Sequence, residues 1–139
     1  MSTTLMQYLN GQPKIGALST ADAQGRVSSA CFGSPRMLDE RTVVIGLGRN
    51  RTLANLQDNP RACLLIAEPA RTLPEWKGLR LYLRMQECQT EGENLAAIRA
   101  MIARAAGEQA ARGIHAAVLF RVEEIRPLLD SGQPWETGI

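Results

Sequence analysis

The chain has 139 residues, of which 45% are hydrophobic and 22% charged, and a formal net charge of +2. That is the length and balance of one globular domain able to bury its own core without disulfide staples. The arginines are dispersed among acidic residues rather than gathered into a stripe, which argues against a nucleic-acid partner.

Cys31, Cys63 and Cys88 are an odd set at wide spacings with no C-x-x-C pair, the pattern of free thiols. The N-terminal Met1-Ser2-Thr3-Thr4-Leu5 has no basic region followed by an apolar run, so it does not read as a secretory signal. No apolar stretch approaches the ~20 residues that span a bilayer. A cytoplasmic protein, without a membrane partner, is the expectation.

Thr4 to Asn10 reads as a short helix, capped by Ser2 or Thr3 and ended by Gly11. Lys14 to Ala21 and Arg26 to Gly33 read as strands joined by the polar turn Asp22-Ala23-Gln24-Gly25. Ser34-Pro35 interrupts the second strand. Thr42 to Leu47 is a β-branched run typical of a buried strand. Arg51 to Asn59 reads as a helix that Pro60 stops. Arg61 to Glu68 is a fourth strand, and Pro69 to Pro74 a loop.

Leu79, Leu81, Leu83 and Met85 alternate with Arg80, Tyr82, Arg84 and Gln86, the clearest strand signal in the chain. Glu93 to Arg112 switches to helical spacing, with Leu95, Ile98, Met101, Ile102 and Ala105 on one side. Ala116 to Arg126 alternates again, ended by Pro127. The tail, residues 130–139, carries Trp135 and shows no clear structure. Hairpins at short spacing favour antiparallel pairing, and a small barrel with helices outside it removes exposed strand edges. The whole of 1–139 is expected to form one domain.

Several chemistries are hard to build here. His115 is the only histidine, which excludes a His-rich metal site and leaves little for a Ser–His–Asp triad; there is no G-x-S-x-G elbow to present a serine. Neither G-x-x-x-x-G-K-[ST] nor G-x-G-x-x-G is present. One segment gives a positive signal, Gly46-Leu47-Gly48-Arg49-Asn50-Arg51-Thr52 leading into Leu53-Ala54-Asn55-Leu56. It leaves a strand, passes two glycines and two arginines, and enters a helix. A helix start offers unpaired N–H groups and the positive end of its dipole, so the segment suits a phosphate. A plain turn with a capped helix and solvated arginines fits the same residues equally well.

The segments Ile15-Gly16-Ala17-Leu18-Ser19-Thr20, Val27-Ser28-Ser29-Ala30, Val43-Val44-Ile45-Gly46 and Arg51-Thr52-Leu53-Ala54-Asn55-Leu56-Gln57-Asp58-Asn59-Pro60-Arg61-Ala62 run in one order. Lys77-Gly78-Leu79-Arg80-Leu81 and Thr90-Glu91-Gly92-Glu93 continue it. In that order and spacing the chain resembles the FMN-binding split-barrel proteins related to pyridoxamine 5'-phosphate oxidase, over roughly residues 1 to 126.

The resemblance implies a mainly β (α+β) fold, a six-stranded antiparallel split barrel with flanking helices. It also implies a homodimer with FMN at the subunit interface. By position, Arg51 and Thr52 would hold the flavin phosphate. Gly46, Leu47 and Gly48 would run beside the ring or ribityl chain, and Ser29, Ala30, Cys31 and Phe32 would present backbone groups to the isoalloxazine. Asn55 would brace the loop or pack on the helix surface. Trp135 would cover a flavin of the partner subunit or pack on its own barrel. Bulky Leu83 stands where relatives often carry glycine. The chain also lacks the C-terminal substrate-binding segment of a pyridoxamine-phosphate oxidase, so vitamin B6 oxidation is not the expected activity.

A flavin-dependent oxidoreductase or electron carrier for an unknown small molecule is the leading expectation, with no catalytic residue assigned. A non-catalytic module of the same fold, holding haem or a deazaflavin, and a structural dimerising domain are the alternatives.

Overall fold

The computed structural model describes residues 3–33 and 35–139, with Thr3 described by its backbone alone. The cap expected at Ser2 or Thr3 and the interruption expected at Ser34 fall outside the described residues. The elements are α1 (Thr3–Gly11), β1 (Ile15–Ala21), β2 (Val27–Gly33), β3 (Arg36–Met37), β4 (Thr42–Leu47), α2 (Arg51–Asp58), β5 (Arg61–Glu68), β6 (Lys77–Gln89), α3 (Glu93–Ala106), α4 (Glu108–Arg112) and β7 (Ala116–Pro127).

The strands form one antiparallel sheet in the order β2-β1-β5-β6-β7-β4-β3, curled into a split barrel. Seven strands are present among the described residues where six were expected. The extra one, β3, is two residues long and pairs with β4 as Arg36↔Val44 and Met37↔Val43. Its other support comes from α1. Asn10 Nδ2 donates to the Met37 carbonyl at 2.9 Å, and the Met37 N–H donates to Asn10 Oδ1 at 2.9 Å. One side-chain amide thus serves as the neighbouring strand that β3 lacks.

The alternation of β6 is realised as read: Leu79, Leu81 and Leu83 are buried, while Arg80, Tyr82 and Arg84 face outward. The core joins them to Leu18, Leu64, Ile66, Val118 and Phe120, and Leu5 and Leu9 of α1 add to it. Each such side chain contributes about 1.5–3 kcal/mol by leaving water. The tail is ordered, contrary to expectation. A 3₁₀ turn at Trp135–Gly138 sets Trp135 and Ile139 against the core of their own barrel.

The helix expected over Glu93 to Arg112 breaks at Gly107, whose φ of +96° is open to glycine but strained for other residues. Its first part, α3, lies on the outer face of β4 and β7, where Leu95 and Ile98 bury Val44 and Ala117. A Cβ at Gly46 would come within 2.6 Å of Ile98 Cγ2, so the helix can approach this closely only over glycine. Among the described residues, no helix lies on the outer face of β2, β1, β5 and β6. No helix among the described residues is long and apolar enough to cross a membrane.

Candidate functional site

The helix α2 is bounded by the residues that the sequence offers. Asn50 caps it, its side chain accepting from Leu53 N–H at 2.9 Å, and Pro60 follows its C-terminus. The cap serves one of the orphan amides and leaves those of Arg51 and Thr52 without an acceptor inside the helix. The charges of α2 run against its dipole. Arg51 begins it, no acidic residue lies in the first turn, and Asp58 ends it. A cation at the positive end costs stability, roughly 0.3–1 kcal/mol at an exposed site, unless an anion sits beside it.

A cavity of about 320 Å³ adjoins that helix start, lined by Asp22, Arg26, Val27, Ser28, Arg51 and Asn55. Arg26 is already paired, its Nε donating to Asp22 Oδ2 at 2.7 Å. The Arg26 N–H and then its guanidinium hold the Asp22 carboxyl below the usual carboxylate range. Arg51 is exposed and has no carboxylate partner among the described residues. It is therefore the cation of this cavity that is free to meet an anion.

Asn55 braces the helix. It is 7% exposed, and its Nδ2 donates to Thr20 Oγ1 of β1 at 3.1 Å. Thr52 is 3% exposed. Its hydroxyl makes no hydrogen bond among the described residues, and none of their buried side-chain oxygens lacks a partner, so that hydroxyl keeps a sliver of exposure.

Among the described residues β2 is an edge strand paired only with β1, so one side of its backbone is unpaired over Ser29, Ala30, Cys31 and Phe32. Ser29 and Cys31 are exposed on the outer face, where Ser29 Oγ lies 2.8 Å from Ser19 Oγ. Phe32 turns inward against the core. The glycines of the β4–α2 connection have a packing role. Gly46 admits Ile98, and a Cβ on Gly48 would lie 2.8 Å from the Gly113 carbonyl. Leu47 between them is fully buried.

On the other flank of α2, Arg49, Asn50, Leu53, Ala54, Gln57 and His115 line a second cavity of about 320 Å³. Arg49 Nε donates to His115 Nδ1 at 3.4 Å, and the backbone N–H of His115 donates to the Leu47 carbonyl at 2.8 Å. The fold thus separates Arg49 from Arg51. It joins Arg51 and Asn55 to Asp22, Arg26 and Ser28, which were not singled out in the sequence. The only local signal for them was the i,i+4 pair of opposite charges around the Gly25 turn.

The family described as pyridoxamine 5'-phosphate oxidase matches residues 3–128. The chain belongs to that family. Solved structures share its fold. A protein described as FMN-binding, from Syntrophomonas wolfei subsp. wolfei, superposes with a TM-score of 0.78 at 18% identity, over 88% of this chain and 82% of that one. HupZ of Group A Streptococcus gives 0.70 at 25% identity, over 90% and 92%. HutZ of Vibrio cholerae, described as a heme storage protein, gives 0.61 at 20% identity, over 87% and 90%. No curated protein sequence matches the chain.

Proposed function

We propose that this chain binds FMN as a homodimer in the cytoplasm and serves as a flavin-dependent oxidoreductase or electron carrier. The observation that carries the reading is Arg51, an unpaired cation at the positive end of α2, facing a cavity beside an edge strand. A phosphate there relieves the reversed charges of α2 and accepts from the free amides of Arg51 and Thr52. Thr52 adds its hydroxyl, and Asn55 holds the helix start against β1. The unpaired backbone of Ser29 to Phe32 suits the polar edge of a flat ring. Gly46, Leu47 and Gly48 contribute backbone rather than side chains. FMN, once bound, supplies the hydride or electron chemistry; the chain's own residues bind and orient it.

The outer face of β2, β1, β5 and β6 suits a second copy. Across it, Cys31, Ala17 and Leu65 lie opposite one another, as do Ser29, Ser19 and Cys63. These are small or apolar side chains, and Ile15 and Val27 nearby are 73% and 83% exposed. Three free thiols agree with a reducing compartment.

The test is a titration of the purified chain with FMN, followed by the flavin's visible absorbance and fluorescence. Saturable binding at one FMN per chain is expected. A colourless protein that ignores FMN would overturn the reading.

A second reading, a haem-binding module, draws on His115, which lines its own cavity with Arg49. The likeness to the Vibrio cholerae heme storage protein favours it. Haem titration of the wild-type chain and of His115→Ala separates the two readings, because only haem binding depends on that imidazole.

A further inference from the structure

A third cavity, of about 310 Å³, opens between α3 and the sheet edge formed by β3 and β4. It shares no residue with the cavities flanking α2. Val44, Ile98 and Met101 form its apolar floor, and Leu38, 43% exposed, continues the strand wall. Arg36 stands on the strand wall and Arg104 on the helix wall. No carboxylate lines the groove, and neither arginine has a carboxylate partner among the described residues.

Its volume is at the small end of ordinary ligand pockets, about 300–1,000 Å³. The groove joins an apolar body site to two uncompensated guanidinia, one from each wall. We infer that it binds a small carboxylic acid with an apolar body. One guanidinium fork satisfies both oxygens of a carboxylate. A phosphate head fits less well. Inorganic phosphate has no apolar body and leaves the floor of Val44, Ile98 and Met101 uncovered. The acid's body covers Leu38 and Met101, and its charge offsets Arg36 and Arg104. The inference does not rest on the flavin reading, because the two sites share neither residues nor chemistry.

The experiment is calorimetric titration of the full chain with hexanoate, hexan-1-ol and inorganic phosphate in turn. Hexanoate binds, and hexan-1-ol and phosphate bind at least roughly tenfold more weakly. Arg36→Ala and Arg104→Ala each weaken hexanoate roughly fivefold to tenfold. Both residues lie on the surface, so these variants keep their thermal midpoints, and their FMN titration matches the wild type's. Ala97→Leu, on the exposed flank of α3, fills the groove and abolishes hexanoate binding. Three results would overturn the inference: no hexanoate binding, binding indifferent to both arginine substitutions, or phosphate binding as tightly as hexanoate.

Discussion

Over β4 and β7 the outer face of the sheet lies under α3, whereas over β2, β1, β5 and β6 it is bare. The covered half is built from residues that let a helix come close: Gly46 with no side chain against Ile98, and Ala117 beside Val44 and Leu95. The bare half uses small residues too, Ala17, Ser19 and Ser29, but no element among the described residues rests on them. Small residues thus serve two ends. In one half they admit a segment of the same chain; in the other they leave an uncovered face, the one proposed above for a second copy.

Substitutions on each half sharpen that contrast. The largest effect is expected from Leu65→Asp on the bare half. A charge at the centre of the proposed dimer face is expected to give a monomer by sedimentation, and that monomer stays folded because Leu65 is only half-buried. A chain whose association state does not change would remove the dimer face. On the covered half, Gly46→Val forces Cβ into Ile98 and costs about 1–3 kcal/mol, read as a lower denaturant midpoint. An unchanged midpoint would show that α3 can move off the sheet. Asn55→Ala leaves the buried Thr20 hydroxyl without its donor and costs about 1–3 kcal/mol by the same measurement.

A smaller effect concerns α1, which anchors β3. The Tyr8 hydroxyl donates to Glu68. Burial first, then the hydrogen bond to Glu68 and its charge, raises the phenol above its ordinary range. A raised folded-state value means that the folded chain holds this proton after the unfolded chain has released it. The stabilisation is therefore whole below the unfolded phenol's value of about 10 and declines as pH rises beyond it. Denaturant midpoints of wild type and Tyr8→Phe should converge above about pH 10. A constant difference between them would contradict the Tyr8–Glu68 link.

Much of this architecture was legible in the sequence because its signals are local. The two-residue alternation of Leu79 to Met85 marks β6, and Asn50 and Pro60 bracket α2. What escaped depends on distant partners. β3 is too short to show a period, and its support comes from Asn10, 27 residues before Met37. Asn55 meets Thr20 across 35 residues. Trp135 reaches the core only once the barrel exists for it to pack on. At the site, the sequence located Arg51 and Asn55 but not Asp22, Arg26 or Ser28, which join them only because β2 folds back beside α2. The packing of the two glycines against Ile98 and Gly113 had no signal in the sequence.

The reversed charges of α2 give the proposed flavin site its sharpest test, a paired measurement on Arg51→Ala. Without ligand, the variant should be as stable as wild type or more stable by roughly 0.3–1 kcal/mol, because a cation leaves the positive end of the helix. Its FMN affinity should fall by roughly tenfold or more, because the phosphate loses a charge-assisted partner. Reduced stability together with unchanged FMN affinity would contradict the assignment of Arg51 to the flavin phosphate.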